Sequence, residues 1–243
     1  MEKNISVILI ARNEEENIAK MIAGLRENYA KEIRELIVVD DASTDKTPLI
    51  VTNLKKQDSK IKLVKRLPPC GVGRALKTGF NNISPEAEYV LMMDSDFVDN
   101  IKEVRLLIGA IEQGEYDGVI GSRFMKGSRV IGYPLGKRIM NRAYHFLLRR
   151  LFRIKQSDLT NNFKLYKTHI VKSLAWKSDG YSINAEIGAL PIIAGYHIAE
   201  VPISWVGRTC QRGKSKFRMR REAWGYIKAI LFIFGLLLRK TTV

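Results

Sequence analysis

The stretch YVLMMDSDFVDN, residues 89–100, joins an apolar run suited to a buried strand to two carboxylates that are one residue apart. Acids this close repel each other, so a positive group, most simply a bound cation, is expected between them. Carboxylate oxygens at a rigid strand end suit a hard divalent ion such as Mg²⁺ or Mn²⁺. Asp94 and Asp96 are therefore the candidate metal ligands.

Similar short apolar runs recur along the first half of the chain, and each ends in turn or polar residues. They cover residues 5–10, 36–39, 61–64, 89–93 and 119–120. Helix-period patterns at 18–25, 47–56 and 101–113 alternate with them. This alternation predicts an α/β fold with a Rossmann-like, mainly parallel sheet flanked by helices. Ligands of such sheets bind beyond the carboxyl ends of the strands, where VVDDAS (38–43) and MMDSD (92–96) are expected.

Charge is unevenly distributed along the chain. Residues 1–120 hold 17 basic and 20 acidic side chains, whereas residues 121–243 hold 24 basic and only 5 acidic ones. The second half is therefore expected to meet a polyanion: nucleic acid, anionic lipid or a phosphorylated substrate.

Two segments of the basic half have the pattern of amphipathic helices. Residues 135–154 interleave apolar and cationic side chains, as a helix does that presents cations to phosphates. The ten apolar residues 229–238 would extend about 15 Å as a helix, too short for a hydrocarbon core of about 30 Å. They predict a helix lying in a membrane interface, with a buried core helix as the alternative.

Other features exclude common protein classes. The glycine spacing of residues 71–80 is not that of a dinucleotide-binding loop, and RGKSK (212–216) lacks the first glycine of a phosphate loop. Cys70 and Cys210 form no paired framework, which favours a reduced, intracellular protein. The first residues predict a strand and not a signal peptide.

Eight motifs occur along the chain in a recognisable order. They are VILIARNEEENI, VVDDASTDKT, GVGRALKTGF, LMMDSD, GSRFMKGS, SDLTNNFKLYK, GYSINAEI and EVPISW followed by GKSK. In order and approximate spacing, residues 5 to about 220 resemble family 2 glycosyltransferases, in particular dolichol-phosphate mannose synthases and related polyprenyl-phosphate sugar transferases. The resemblance implies the GT-A fold, a nucleotide-sugar donor, a divalent metal (Mg²⁺ or Mn²⁺) and a lipid phosphate acceptor. We expect a glycosyltransferase domain over residues 1–220 and an amphipathic, interfacial helix over 221–243.

The resemblance also implies roles for individual residues. The donor-binding positions are Ile10, Ala11, Arg12, Glu14, Asp41, Lys77, Asp94 and Ser95. Asp94 and Asp96 match the metal motif. Arg123, Arg138 and Asn141 lie where relatives hold the acceptor phosphate, and Arg208 resembles a basic residue that closes over the donor. Asp96, Arg123 and Arg208 are the expected catalytic residues.

Several positions depart from the family pattern. Ile10 and Arg12 replace the usual Pro and Tyr, and residues 160–163 read Thr-Asn-Asn-Phe in place of Thr-Ser-Gly-Phe. Val98 stands where a Gln often follows the metal motif. Without that Gln the metal lacks one possible ligand, and water or the donor phosphate would complete the metal site.

The expected reaction is a metal-dependent, inverting transfer of a sugar, first of all mannose from GDP-mannose, to dolichyl or polyprenyl phosphate. Such a phosphate is already an anionic nucleophile and needs alignment more than a strong base. The protein is expected to be peripheral on the cytoplasmic face of a membrane, with a separate membrane subunit left open. The alternatives are a same-fold enzyme using UDP-glucose, UDP-N-acetylglucosamine or a saccharide acceptor, and, less favoured, a basic nucleic-acid or membrane-binding module.

Overall fold

The computed structural model describes residues 4–206 and 219–240 of the 243-residue chain. The strands within these residues are β1 (Ile5–Ala11), β2 (Ile33–Asp41), β3 (Ile61–Arg66), β4 (Tyr89–Asp94), β5 (Gly118–Ser122), β6 (Val130–Ile131), β7 (Lys164–Lys167), β8 (Ile198–Pro202) and β9 (Trp205–Val206). The α-helices are α1 (Ile18–Tyr29), α2 (Thr47–Gln57), α3 (Val72–Asn81), α4 (Val104–Glu112), α5 (Leu135–Phe152), α6 (Thr168–Ser173), α7 (Ile183–Ile193) and α8 (Met219–Lys240). A 3₁₀ helix, Val98–Glu103, precedes α4.

The main sheet has seven strands in the order β3-β2-β1-β4-β7-β5-β8, and the pair β6-β9 forms a small second sheet. All neighbours in the main sheet are parallel except β7, which is antiparallel to both β4 and β5. From β1 the chain builds outward through β2 and β3 on one side and through β4 on the other. This topological switch point lies between β1 and β4, where Ile10 is level with Asp94.

Apolar side chains alternate between the two faces of the sheet, as the strand period requires. Leu9 and Val38 pack with α1, α2 and α4, whereas Ile8 and Ile37 pack with the helices of the opposite face. That opposite face is covered by α3, α5, α6, α7 and α8. The α/β sandwich predicted from the sequence is therefore confirmed.

Most predicted elements are present and a few differ. All five predicted strands exist, and the structure lengthens each of them. The helix predicted over 101–113 is divided between the 3₁₀ helix and α4. The sequence pattern predicted neither β7, which reads Lys-Leu-Tyr-Lys and has no apolar run, nor β8.

The glycine-rich segment 71–80 forms the start and body of α3. A Cβ at Gly73 would lie 2.2 Å from the carbonyl oxygen of Ser178, and the Gly73 amide donates to the Asp179 carbonyl at 2.9 Å. Only glycine allows the helix to approach this loop so closely. Glycine at position 73, in the segment whose spacing excluded a dinucleotide-binding loop, is thus explained by the packing of α3 against residues 178 and 179.

The last helix, α8, is amphipathic. Ala229 and Ile233 are buried, whereas Trp224 and Leu231 are about 60% exposed. The run 229–238 is therefore neither wholly buried nor wholly exposed. None of the described helices has both the length and the apolar character needed to cross a bilayer. The division of the chain at residues 220 and 221 stays a prediction.

Candidate active site

A cavity of about 1650 Å³ lies at the carboxyl ends of β1, β2 and β4. The hydroxyl of Ser95 donates to the Ile10 carbonyl at 2.6 Å and so ties the end of β4 to the end of β1. This is the edge at which ligands of parallel sheets bind.

The structure brings most of the predicted site residues to this cavity. Its lining includes Ile10, Arg12, Glu14, Asp41, Asp94, Ser95, Asp96, Arg123 and Asn141. Three predicted residues, Ala11, Lys77 and Arg138, do not line it. Arg208 lies outside the described residues. The individual roles assigned to these residues stay predictions.

Asp94 and Asp96 offer only oxygen ligands at the edge of the cavity. Asp94 accepts a hydrogen bond from Asn162 Nδ2 at 2.8 Å, and the buried Oδ1 of the same amide has no hydrogen-bond partner among residues 4–206 and 219–240. No group of three or more His, Cys, Asp or Glu side chains within the described ranges could hold a metal ion. Two carboxylates with room for water and a phosphate fit Mg²⁺ or Mn²⁺, which keep several exchangeable oxygen ligands.

Lys137, near the start of α5, is a cation on the cavity wall close to these carboxylates. Burial lowers the pKa of Lys137 and the Arg123 charge lowers it further, although Asp94 and Asp96 act in the opposite direction. The amino end of α5 therefore supplies positive charge opposite the acidic end of β4.

Arg123 is held in a buried ion pair. Its Nε and Nη2 donate to the two carboxylate oxygens of Asp158 at 2.6 and 2.8 Å, and Nη2 also donates to the Thr160 hydroxyl at 3.2 Å. Burial alone would raise the pKa of Asp158, but the charge and the hydrogen bonds of Arg123, with His145 nearby, together outweigh burial and hold that pKa well below its usual range. Arg123 thus lines the cavity as half of a paired unit and not as an isolated cation.

His145 connects this ion pair to α5. Its Nδ1 lies 2.6 Å from the Asn141 carbonyl, and its Nε2 accepts the Leu159 amide hydrogen at 2.8 Å. A neutral imidazole protonated at Nδ1 satisfies both contacts. Burial lowers the pKa of His145, which favours that neutral form. The histidine therefore fixes α5 against the segment that carries Asp158.

Asp41 and Lys77, both predicted to contact the donor, already have protein partners. Asp41 is paired with Arg66 and accepts the Gly71 amide hydrogen at 2.7 Å. Lys77 forms an ion pair with Asp179 at 2.7 Å, and Arg74 forms a second ion pair with the same carboxylate at 2.8 Å. These contacts hold α3 and the loop before it in place along the cavity.

Sequence reasoning missed several residues around the cavity. Asp158, Asp179 and Glu186 are three of the five acids in the basic half of the chain. Glu186, on α7, is 1% exposed and accepts the amide hydrogens of Lys177 and Ser178. Acids that are scarce in a cationic half are a signal of specific partners, and this signal could have identified them.

Two helices that border the cavity also expose apolar side chains. Tyr144 of α5 packs edge-on against Tyr226 of α8, with ring centroids 4.9 Å apart. The exposed apolar residues of α5 are Leu135, Ile139, Met140, Phe146, Leu147 and Leu151, and those of α8 are Trp224, Ile227, Leu231, Phe234 and Leu238. Both helices that line the cavity therefore carry several exposed apolar side chains.

Comparison with known proteins agrees with this architecture. Residues 6–175 match the model of glycosyl transferase family 2. The chain is 26% identical to the polyprenol monophosphomannose synthase of Mycolicibacterium smegmatis over 89% of this chain and 83% of that protein. It is 25% identical to the undecaprenyl-phosphate mannosyltransferase of Micrococcus luteus over 87% of this chain and 86% of that protein.

A further relative is longer than this chain. Glycosyltransferase AglD of Haloferax volcanii is 27% identical over 93% of this chain, which spans only 36% of the AglD length.

Solved structures share the fold. Glucosyl-3-phosphoglycerate synthase from Mycobacterium tuberculosis in complex with UDP superposes with a TM-score of 0.70 and 20% identity, over 96% of this chain and 80% of that one. Its complex with Mn²⁺, UDP and glucosyl-3-phosphoglycerate superposes with a TM-score of 0.71 and 23% identity, over 96% of this chain and 80% of that one. The expected GT-A fold is confirmed. With a family match over more than half of its length, the chain is a glycosyltransferase that belongs to glycosyl transferase family 2.

Proposed function

We propose that this enzyme transfers a sugar from a nucleotide sugar to a polyprenyl or dolichyl phosphate at a membrane surface. The observation that carries the proposal is the composition of one cavity. Asp94 and Asp96 line one wall, while Lys137 and Asn141 of the basic, apolar-faced α5 line another. The donor diphosphate needs a metal ion held by carboxylates, and the lipid-linked phosphate needs cationic and hydrogen-bonding side chains next to it.

The donor belongs at the ends of β1 and β4. A divalent ion held by Asp94 and Asp96 would offset the negative charge that develops on the departing nucleotide diphosphate. Ser95 stabilises the approach of the two strands by its bond to the Ile10 carbonyl. Mannose is the favoured sugar because two relatives are named for mannose transfer to polyprenyl phosphates, and GDP-mannose is the proposed donor.

The acceptor phosphate belongs at the amino end of α5. Lys137 supplies positive charge there, and Arg123 with Asp158 keeps the wall rigid. The phosphate needs orientation for an in-line attack on the anomeric carbon and no strong base. Single displacement gives inversion, so an α-linked donor yields a β-linked lipid-phosphate sugar.

The lipid chain belongs on the apolar surface of α5 and α8. Leu231 and Phe232 of α8 extend this apolar character into the cavity itself. Peripheral attachment to an anionic, cytoplasmic leaflet is consistent with 24 basic and 5 acidic residues in the second half.

The test is direct transfer with the purified chain. Labelled GDP-mannose, Mn²⁺ and a short polyprenyl phosphate in anionic vesicles are expected to give a labelled lipid-phosphate sugar. Parallel reactions with UDP-glucose, UDP-N-acetylglucosamine and a saccharide acceptor test the alternatives. Transfer to a saccharide but to no lipid phosphate would overturn the proposed acceptor.

Asp96→Asn is the matched control for the metal. The variant is expected to lose metal-dependent turnover by about a hundredfold or more, while it keeps the fold and vesicle binding, because the carboxylate charge is lost without a change of shape. Undiminished activity in Asp96→Asn would contradict the assignment of the ion.

A further inference from the structure

Asn162 stands beside the acidic end of β4 in an unusual state. It is 2% exposed and lines the cavity, and its Nδ2 donates to Asp94 Oδ1 at 2.8 Å. Its other polar atom, Oδ1, is buried without a hydrogen-bond partner in the described part of the chain. A buried amide oxygen of this kind is unfavourable unless a ligand or a water satisfies it.

The orientation of this amide follows from its neighbour. If the two ends of the amide were exchanged, Oδ1 would face Asp94 Oδ1, and two acceptors would lie in contact. The nitrogen must therefore face Asp94. The oxygen is then held at a fixed position next to a candidate metal ligand, on a residue that lines the cavity.

Two departures from the family pattern meet at this point. Val98 replaces a Gln that often follows the metal motif, and it packs against the apolar core, where it offers no side-chain oxygen. Asn162 stands where the family usually has Gly and so adds an oxygen that a glycine lacks. The antiparallel β7, which begins two residues later, brings this position to the end of β4.

We propose that Asn162 supplies the divalent ion with the side-chain oxygen that Val98 lacks. Nδ2 orients Asp94, and Oδ1 contacts the ion or one of its bound waters. Amide oxygens are suitable ligands for hard divalent ions. This inference rests on the proposed function, because the ion is the one assigned to Asp94 and Asp96.

A second asparagine provides a matched control. Asn184, at the start of α7, also lines the cavity and is 5% exposed, and its buried Oδ1 has no hydrogen-bond partner among the residues that the structure describes. It differs from Asn162 in belonging to α7 and not to the segment beside β4. If any unpartnered amide in the cavity wall could contribute to ion binding, replacing either residue would lower the affinity for the ion equally.

The experiment measures Mn²⁺ binding to the full chain by the electron paramagnetic resonance signal of free Mn²⁺, with and without GDP. Asn162→Ala is expected to weaken binding about ten- to a hundredfold. Asn162→Asp keeps an oxygen but loses the donor, so its affinity should equal or exceed that of the unchanged chain. Asn184→Ala should leave the affinity unchanged, and thermal unfolding checks the fold of each variant.

Each outcome has a separate meaning. Unchanged affinity in Asn162→Ala, or Asn162→Asp as weak as Asn162→Ala, overturns the role of the amide oxygen. If the unchanged chain then binds Mn²⁺ and Asp96→Asn does not, the proposed function stands without Asn162. An unchanged chain that binds no Mn²⁺ overturns both.

Discussion

Individual charges around the cavity are matched by specific partners. Asp158 and Arg123 lie in the interior, where either charge alone would be strongly destabilising. Glu200 accepts the amide hydrogens of Ser157 and Asp158 at 2.8 and 2.9 Å and so holds the segment that carries the buried acid. These contacts hold Arg123, which lines the cavity, in a defined position.

The buried pair gives a stability prediction. Asp158→Asn removes the charge but keeps the shape, and it should lower the free energy of unfolding by about 3–5 kcal/mol, because Arg123 stays buried without compensation. Denaturant unfolding measures the change. Arg105→Gln, which breaks the more exposed pair with Glu32, should cost about 0–1 kcal/mol. Equal effects of the two variants would contradict the importance of the buried pair.

Lys164 is a fully buried lysine in the centre of the sheet. Burial lowers its pKa to about 7, although the Asp158 charge opposes the shift, and its Nζ donates to the Asn161 carbonyl. The unfolded chain therefore binds more protons than the folded one between pH 7 and about 10.5. The stability linked to Lys164 is present at high pH and is lost as the pH falls toward 7.

This linkage predicts a difference in pH dependence. Between pH 7 and pH 9, the free energy of unfolding of the unchanged chain should rise relative to that of Lys164→Met, which has an apolar side chain of similar length and no titration. Denaturant unfolding at several pH values measures both slopes. Parallel slopes would show that Lys164 has an ordinary pKa in the folded state.

At the scale of elements, α5 has two distinct faces. Its inner face carries Leu148 and Phe152, which pack in the core, and His145, which bonds to the Leu159 amide. Its outer face exposes large apolar and cationic side chains, among them Phe146, which is 72% exposed. The inner face fixes the helix, so the outer face is available to a membrane.

The outer face gives a prediction for vesicle binding. Replacement of both Phe146 and Leu147 by Ser should weaken binding to anionic vesicles by about tenfold or more. Full burial of one Phe or Leu side chain is worth about 1.5–3 kcal/mol, and about 1.4 kcal/mol corresponds to a factor of ten. Vesicle sedimentation measures the partition.

Leu49→Ser is the control for this change. Leu49 is 58% exposed on α2, which packs on the opposite face of the sheet. The control should bind vesicles like the unchanged chain. If it lost as much affinity as the α5 variant, binding would not depend on the α5 surface.

Elements with a clear local sequence pattern could be predicted. Elements that are stabilised by residues far away along the chain could not. The buried strands β1 and β4 and the helix α5 follow from runs and periodicity. β7 is polar in sequence but buried: burial lowers the pKa of Lys164 to about 7, and the Tyr166 hydroxyl donates to the Ile187 carbonyl at 3.0 Å. For the same reason the sequence predicted Asp94 and Asp96 but not Asp158, whose partner is 35 residues away.

At the scale of the whole molecule, charge and apolar surface belong to the same half of the chain. The net excess of basic residues lies beyond residue 120, and so do α5 and α8 with their exposed apolar side chains. Each basic residue near an anionic leaflet contributes about 1 kcal/mol. A combined electrostatic and apolar attachment is therefore expected.

This combination predicts a graded response to salt. Binding to anionic vesicles should weaken as the NaCl concentration rises from about 0.05 to 0.5 M, because the Debye length shortens, while an apolar remainder persists. Vesicle sedimentation across this range provides the measurement. Complete, salt-independent binding to uncharged vesicles would contradict the electrostatic part, and tighter binding to nucleic acid than to vesicles would favour the alternative class.

The reversed direction of β7 also has a consequence for the order of assembly during synthesis. β1 to β4 pair in parallel as successive crossover units, so half of the sheet can form while the rest of the chain is still being made. Asp94 and Asn162, however, are 68 residues apart. A ribosome must therefore deliver the chain through β7 before the acidic corner is complete, and this corner is expected to mature late in folding because its contacts span long loops.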